Sequence, residues 1–195
     1  MKTLYLSDID GTLIRSSERI SDYTITTINR FIREGGCFSY ATARSIVSAS
    51  KVTAGLNTPF PVICYSVALI IDSESRNVLH GNYFTKEEER DIRRILTEQR
   101  ILPIVFSYIN GRERFSFIER NVSVGMRAFL DKRRDDIRCR EVQSEDELYD
   151  GDNIFYITCI RDDKTEFERI HNGFKADPRV QIMHQKDLYS VAQWC

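Results

Sequence analysis

The chain predicts an α/β protein, a parallel sheet with covering helices, followed by a separate α+β unit. Three observations carry this. Apolar runs and helix-length segments alternate as strand, helix, strand, helix, strand over residues 1–83. The first run, residues 3–7, is mostly apolar, as in a strand covered on both faces. From residue 84 the pattern changes to a charged amphipathic helix and a hairpin.

Taken in order, the strand at residues 3–7 leads into "DGTLIRSSERI". Ser21 then reads as an N-cap, with Ile25, Ile28 and Ile32 at helical spacing and Gly35-Gly36 as the stop. "CFSYATAR" is a second strand running into a polar turn, residues 45–56 are helical, and "PFPVICYSVALIID" contains a third apolar strand. "TKEEERDIRRILTEQR" is a helix with Ile92, Ile95 and Leu96 turned inward. "LPIVFSYINGRERFSFIE" is a hairpin turning at Asn110-Gly111. A helix over 121–134, a strand in "DNIFYITCI", a helix in "KTEFERIHNGF" and strands in "VQIMHQ" and "LYSVAQW" complete the reading. The mixed run "KRRDDIRCR" reads as a solvated face, and Arg112 and Arg114 as part of a surface turn.

Composition narrows the function classes. In 195 residues, a net charge of -1 gives no support to a nucleic-acid or membrane-surface partner. No apolar run approaches the roughly 18 residues of a spanning helix, and the first residues meet Asp8 too early for a signal-peptide core. The five cysteines form no CxxC pair and the three histidines have no ligand spacing. A cytoplasmic location is expected.

The chemistry is concentrated at strand ends, where open parallel sheets bind ligands. Asp8 lies at the end of the first strand and Asp10 two residues on. Two carboxylates held close repel, and a bound cation relieves that repulsion. Mg²⁺ suits such oxygen donors, with waters and a substrate phosphate completing its shell. An ionised carboxylate there can attack phosphorus while a second carboxyl exchanges protons with the leaving oxygen and then with water. Gly11 permits a tight turn and Thr12 offers a hydroxyl. Asp-Gly is equally a hairpin turn, but the residues after Thr12 do not alternate like a returning strand. Thr42 and Arg44 at the end of the second strand could hold phosphate oxygens, as could Ser66 at a comparable height on the third. Each alone reads as a cap or a surface group; three neighbouring strand ends together make a site.

"DIDGTLI", "ATAR" and "PVICYSVALIID" together resemble the haloacid dehalogenase superfamily, in particular its Cof-type phosphatases with a large α/β cap inserted after the third core strand. The resemblance implies a Rossmann-like core and Mg²⁺-dependent hydrolysis of small phosphorylated metabolites such as sugar phosphates. It implies Asp8 as nucleophile and metal ligand, Asp10 as general acid/base with its backbone carbonyl on the metal, and Thr42 on the transferring phosphoryl group. On it the chain divides into core 1–83, inserted cap 84–187 and the start of a return to the core at 188–195. Thr42-Ala43-Arg44 stands where the family usually has Thr-Gly-Arg, and Ser66-Val67-Ala68 where it has Asn-Gly-Ala. The lysine and acidic cluster that follow the cap in the family find no counterpart before Cys195. The expectation is therefore a truncated core with impaired turnover and an exposed edge at the first strand that favours self-association. The alternative is a binding or interaction protein that keeps the fold without catalysis.

Overall fold

The structure, a computed structural model, describes residues 2–14, 19–120, 122–174, 179 and 182. Apart from Ile182, the strands expected in "VQIMHQ" and "LYSVAQW" and the return at 188–195 lie outside the described residues. The chain divides into two compact units, 1–82 and 83–195.

The first unit is a five-stranded sheet in the order β1-β2-β3-β4-β5. Its strands are β1 (Leu4–Asp8), β2 (Cys37–Ala41), β3 (Val62–Cys64), β4 (Leu69–Ile71) and β5 (Val78–Gly81). Two helices cross between the parallel strands: α1 (Asp22–Arg33) and α2 (Ile46–Val52). Ser21 caps α1, its hydroxyl accepting from the Thr24 N–H, and Ser45 caps α2 in the same way through Ser48.

The three strands that carried the parallel reading, β1, β2 and β3, are parallel, and β4 and β5 are antiparallel additions. The third apolar run is two strands, because the chain reverses at Tyr65-Ser66-Val67, all three at positive φ (52, 53 and 79°). No glycine, proline or asparagine marks that turn. Among the described residues β1 pairs with β2 alone, and Leu4, Tyr5 and Leu6 are 53, 55 and 50% exposed, against the reading of this apolar run as covered on both faces.

The second unit is a four-stranded sheet in the order β8-β7-β6-β9, built from β6 (Ile104–Ile109), β7 (Arg112–Phe117), β8 (Cys139–Glu141) and β9 (Asn153–Thr158). Asn110 and Gly111 turn the β6–β7 hairpin with φ of 51 and 71°, as a type I′ turn requires. Helix α3 (Lys86–Glu98) starts in a capping box between Thr85 and Glu88. It packs Ile92 and Leu96 against Ile170 and Phe174 of α6 (Lys164–Phe174). Helix α4 (Val124–Asp131) is shorter than the expected 121–134, and a short α5 (Glu145–Leu148) supplies Leu148 to a second cluster with Val105, Ile118, Val142 and Ile154.

The "KRRDDIRCR" run is not a wholly solvated face. Arg138 is buried at 9% exposure and ion-pairs with Glu113 and Asp136 at 2.6 Å each. Cys139 and Arg140 that follow belong to β8, parallel to β7.

Candidate active site

Register sets the site. Asp8 stands opposite Ala41, and Ala41 opposite Ile63. The carboxyl ends of β1, β2 and β3 therefore fall at one level, with Asp8, Thr42 and Ser66 at or just past them.

After β1 the chain turns tightly. The Ile9 carbonyl accepts from the Thr12 N–H (3.4 Å) and the Ile14 N–H (2.9 Å), while Ile9 and Ile14 are fully buried. These two isoleucines anchor a loop whose polar residues stay outside. Gly11 makes the reversal at φ 76° with nothing within 4 Å of a would-be Cβ, so its requirement is conformational rather than steric. Asp8 is exposed; its Oδ1 accepts from the Ile9 N–H at 2.8 Å, and the Ser7 hydroxyl donates to the Asp8 carbonyl at 2.9 Å. Thr12 is exposed on the same loop.

Asp10 is half-buried and held by Arg44. The guanidinium donates through Nη2 to Oδ1 (2.7 Å) and through Nε to Oδ2 (2.9 Å), a bidentate clamp across 34 residues of sequence. Arg44 also donates through Nη1 to the Ser48 hydroxyl on α2 at 3.2 Å. Ser48 was not singled out in the sequence. Its place four residues after Arg44, one turn into the following helix, is the signal that could have found it.

Thr42 is 4% exposed. Its N–H donates to the Ile63 carbonyl (2.9 Å), its Oγ1 accepts from the Arg44 N–H (3.1 Å), and its carbonyl accepts from the Ser66 N–H (3.0 Å). The Tyr65 N–H donates to the Arg44 carbonyl at 3.1 Å. The left-handed turn at 65–67 is thus laced to the β2 loop by backbone bonds, which fixes Ser66 beside Thr42. Ala43, where the resemblance leads one to expect glycine, takes no positive φ, so its methyl meets no backbone strain.

Among the described residues no three His, Cys, Asp or Glu side chains gather. The donors present, Asp8, Asp10, Thr12, Thr42 and Ser66, are all oxygen. A polar cavity of about 210 Å³ in the same unit is lined by Tyr40, Ser50, Thr53, Thr58, Ser73 and Arg76 among others, and by none of these residues. Burial pushes the Tyr40 phenol above its ordinary range there, against a lowering hydrogen bond with Thr53.

The chain belongs to the haloacid dehalogenase-like hydrolase family, whose sequence pattern matches residues 5–191. A protein of Buchnera aphidicola subsp. Baizongia pistaciae, provisionally named a phosphatase, is 27% identical over 110 residues, 56% of this chain and 41% of that relative. The match thus spans about two fifths of the relative's length. A haloacid dehalogenase-like hydrolase from B. subtilis superposes over 100% of this chain and 72% of its own, with a TM-score of 0.72 at 19% identity. One from Bacteroides thetaiotaomicron gives 100% and 70%, 0.66 and 18%. A sugar phosphatase of subclass IIB gives 100% and 68%, 0.61 and 17%. At such identities these structures speak for the fold alone. No helix among the described residues is long and apolar enough to cross a membrane.

Proposed function

We propose that this chain hydrolyses small phosphate monoesters through a phosphorylated Asp8, with Mg²⁺ bound at Asp8 and Asp10. The observation that supports this most is the common level of three adjacent strand ends, which gathers Asp8, Thr42 and Ser66. An Asp8 oxygen attacks phosphorus and the ester P–O bond breaks, with Asp10 delivering a proton to the departing oxygen. Asp10 then takes a proton from water as that water displaces Asp8 from phosphorus, releasing inorganic phosphate. The Thr42 oxygen already accepts the Arg44 N–H, which leaves its own proton free to donate to a phosphate oxygen.

Arg44 has two roles in this reading. It grips Asp10 in the free protein. When a phosphate enters, the guanidinium passes to the phosphate oxygens and frees the Asp10 carboxyl for proton transfer. Mg²⁺ suits the all-oxygen donor set, and when bound it would offset the charge of Asp8 and the phosphate. The Asp8 carboxylate and the Asp10 backbone carbonyl would hold it, leaving the rest of its shell to water and substrate oxygens. A sugar phosphate is the proposed substrate class, by analogy with the subclass IIB neighbour.

The Asp10–Arg44 clamp also favours a second reading, a phosphate-binding protein without turnover, because it occupies the acid/base group. Hydrolysis of p-nitrophenyl phosphate with Mg²⁺ or EDTA, alongside Asp8→Asn, separates the two. Turnover that needs Mg²⁺ and vanishes in Asp8→Asn supports the enzyme. A wild-type rate equal to that of Asp8→Asn rejects it, and protection against thermal unfolding by inorganic phosphate would then support the binding reading.

A further inference from the structure

We infer that the polar cavity beside the last turn of α2 binds a short polyhydroxy carboxylate, its carboxylate on Arg76 and its hydroxyls donating to Ser50, Thr58 and Ser73. The cavity measures about 210 Å³ and lies within the first unit, lined by none of the strand-end residues Asp8, Thr42 and Ser66. Tyr40 comes from β2, Ser50 and Thr53 from the end of α2, Thr58 from the loop before β3, and Ser73 and Arg76 from the turn between β4 and β5.

The hydroxyls set the polarity of the guest. Ser50 donates to the Ile46 carbonyl at 2.7 Å and Thr53 to the Ala49 carbonyl at 2.9 Å. Ser73 donates to the Thr58 carbonyl at 2.9 Å, and the Thr58 hydroxyl to the Phe38 carbonyl. A hydroxyl has one proton to give, so each of these oxygens offers a guest lone pairs only. Thr53 also shares a hydrogen bond with Tyr40, which leaves Ser50, Thr58 and Ser73 as the open acceptors. Acceptors call for a guest rich in donors. An ammonium would enter without a counter-charge, since no carboxylate lines the cavity. Neutral hydroxyls avoid that cost.

The charge comes from Arg76. Its side chain has no hydrogen bond or ion pair among the described residues, and it acts electrostatically on the Tyr40 phenol at the cavity floor. Asp72, four residues earlier, spends its carboxylate on the Ser75 N–H and hydroxyl, both at 2.7 Å. Arg76 stands at φ 66°, where glycine or asparagine would be easier, so the turn itself gives no reason for an arginine. One guanidinium matches one carboxylate in a two-pronged contact, whereas a phosphate dianion would leave charge unpaired.

Volume sets the size. A cavity of about 150 Å³ takes a benzene, so this one suits roughly eight or nine non-hydrogen atoms. A four-carbon sugar acid has that size. The lining holds no histidine, cysteine or carboxylate, so the guest is bound rather than converted. Seated there, it ties α2 to β2 and to the β4–β5 turn. None of this depends on the phosphatase reading.

Isothermal titration calorimetry of the intact chain with erythronate, a four-carbon sugar acid, tests it. Erythronate should bind, while erythritol, which lacks the charge, and acetate, which lacks the hydroxyls, should each bind about tenfold more weakly or worse. Arg76→Gln should weaken erythronate about tenfold, and Ser50→Ala about fivefold. Both positions keep some solvent exposure, and unchanged unfolding midpoints would show the variants folded. No heat of binding with tens of millimolar erythronate overturns the inference. So does equal binding of acetate or erythritol, or a wild-type affinity in both variants.

Discussion

Arg44 in the first unit and Arg138 in the second are both clamped on carboxylates, and the difference between them separates a site from a support. Arg138 meets Glu113 across the sheet and Asp136 in the preceding turn, lies over the Phe115 ring, and leaves all three charged side chains 10–17% exposed. It joins the loop before β8 to the β7 strand that β8 must pair with. Arg44 and Asp10 keep 22% and 25% of their side-chain surface. They stand at strand ends beside an exposed Asp8 rather than over an aromatic ring. A charge pair walled in on its partners is fixed in place; one at an open rim can exchange a partner for a ligand.

The largest effect should come at that rim. Asp8→Asn should lower phosphatase turnover by a factor on the order of 10⁴ while leaving the unfolding midpoint within about 0.5 kcal/mol of wild type. Steady-state rates and urea melts check both halves. A parallel collapse of stability would make Asp8 a structural residue like Arg138.

The reverse pattern is expected of Arg138→Ala. It strands Glu113 and Asp136 and should cost about 3 kcal/mol of stability, read from urea unfolding. The kinetic constants of the protein that remains folded should be unchanged. Loss of turnover with stability intact would move Arg138 into the site class.

Arg44 is intermediate. Arg44→Ala should reduce kcat/KM by roughly ten- to a hundredfold through lost phosphate contact. Arg44→Lys should recover only part of it, since an ammonium cannot reproduce the bidentate fork. If Arg44→Ala instead speeds turnover, the clamp inhibits Asp10 and the hand-over to phosphate is wrong.

What the sequence disclosed divides along the same line between local and distant interactions. The cap at Ser21 and the turn at Asn110-Gly111 were legible because a side chain or a glycine solves a problem within four residues of itself. Asp8, Thr42 and Ser66 were legible as a group because strand ends in a parallel sheet share an edge. The Arg44–Asp10 clamp was not, since nothing local joins residues 34 apart. Strand β8 was missed because "CRE" carries no apolar pattern; it is a strand through its pairing with β7. The β3–β4 reversal was hidden by its residues: tyrosine, serine and valine are poor markers of positive φ.

That reversal sets the smallest effect and the sharpest contrast between the units. The β6–β7 hairpin turns on Asn110-Gly111, residues that tolerate left-handed backbone. The β3–β4 turn spends a β-branched valine at φ 79° on a side chain that is 55% exposed and gains little from packing. Strain of this kind costs about 1–3 kcal/mol, whereas glycine's extra freedom in the unfolded chain costs about 0.5–1 kcal/mol. Val67→Gly should therefore stabilise the protein by about 1 kcal/mol, and Asn110→Val should destabilise it by a similar amount, both read from urea midpoints. Because Tyr65 and Ser66 are bonded to the β2 loop through their N–H groups, relaxing Val67 also loosens the hold on Ser66. A stabilised Val67→Gly with a raised KM would mark the strain as serving the site; a stabilised variant with unchanged kinetics would make the Arg44 loop sufficient to place Ser66 without it.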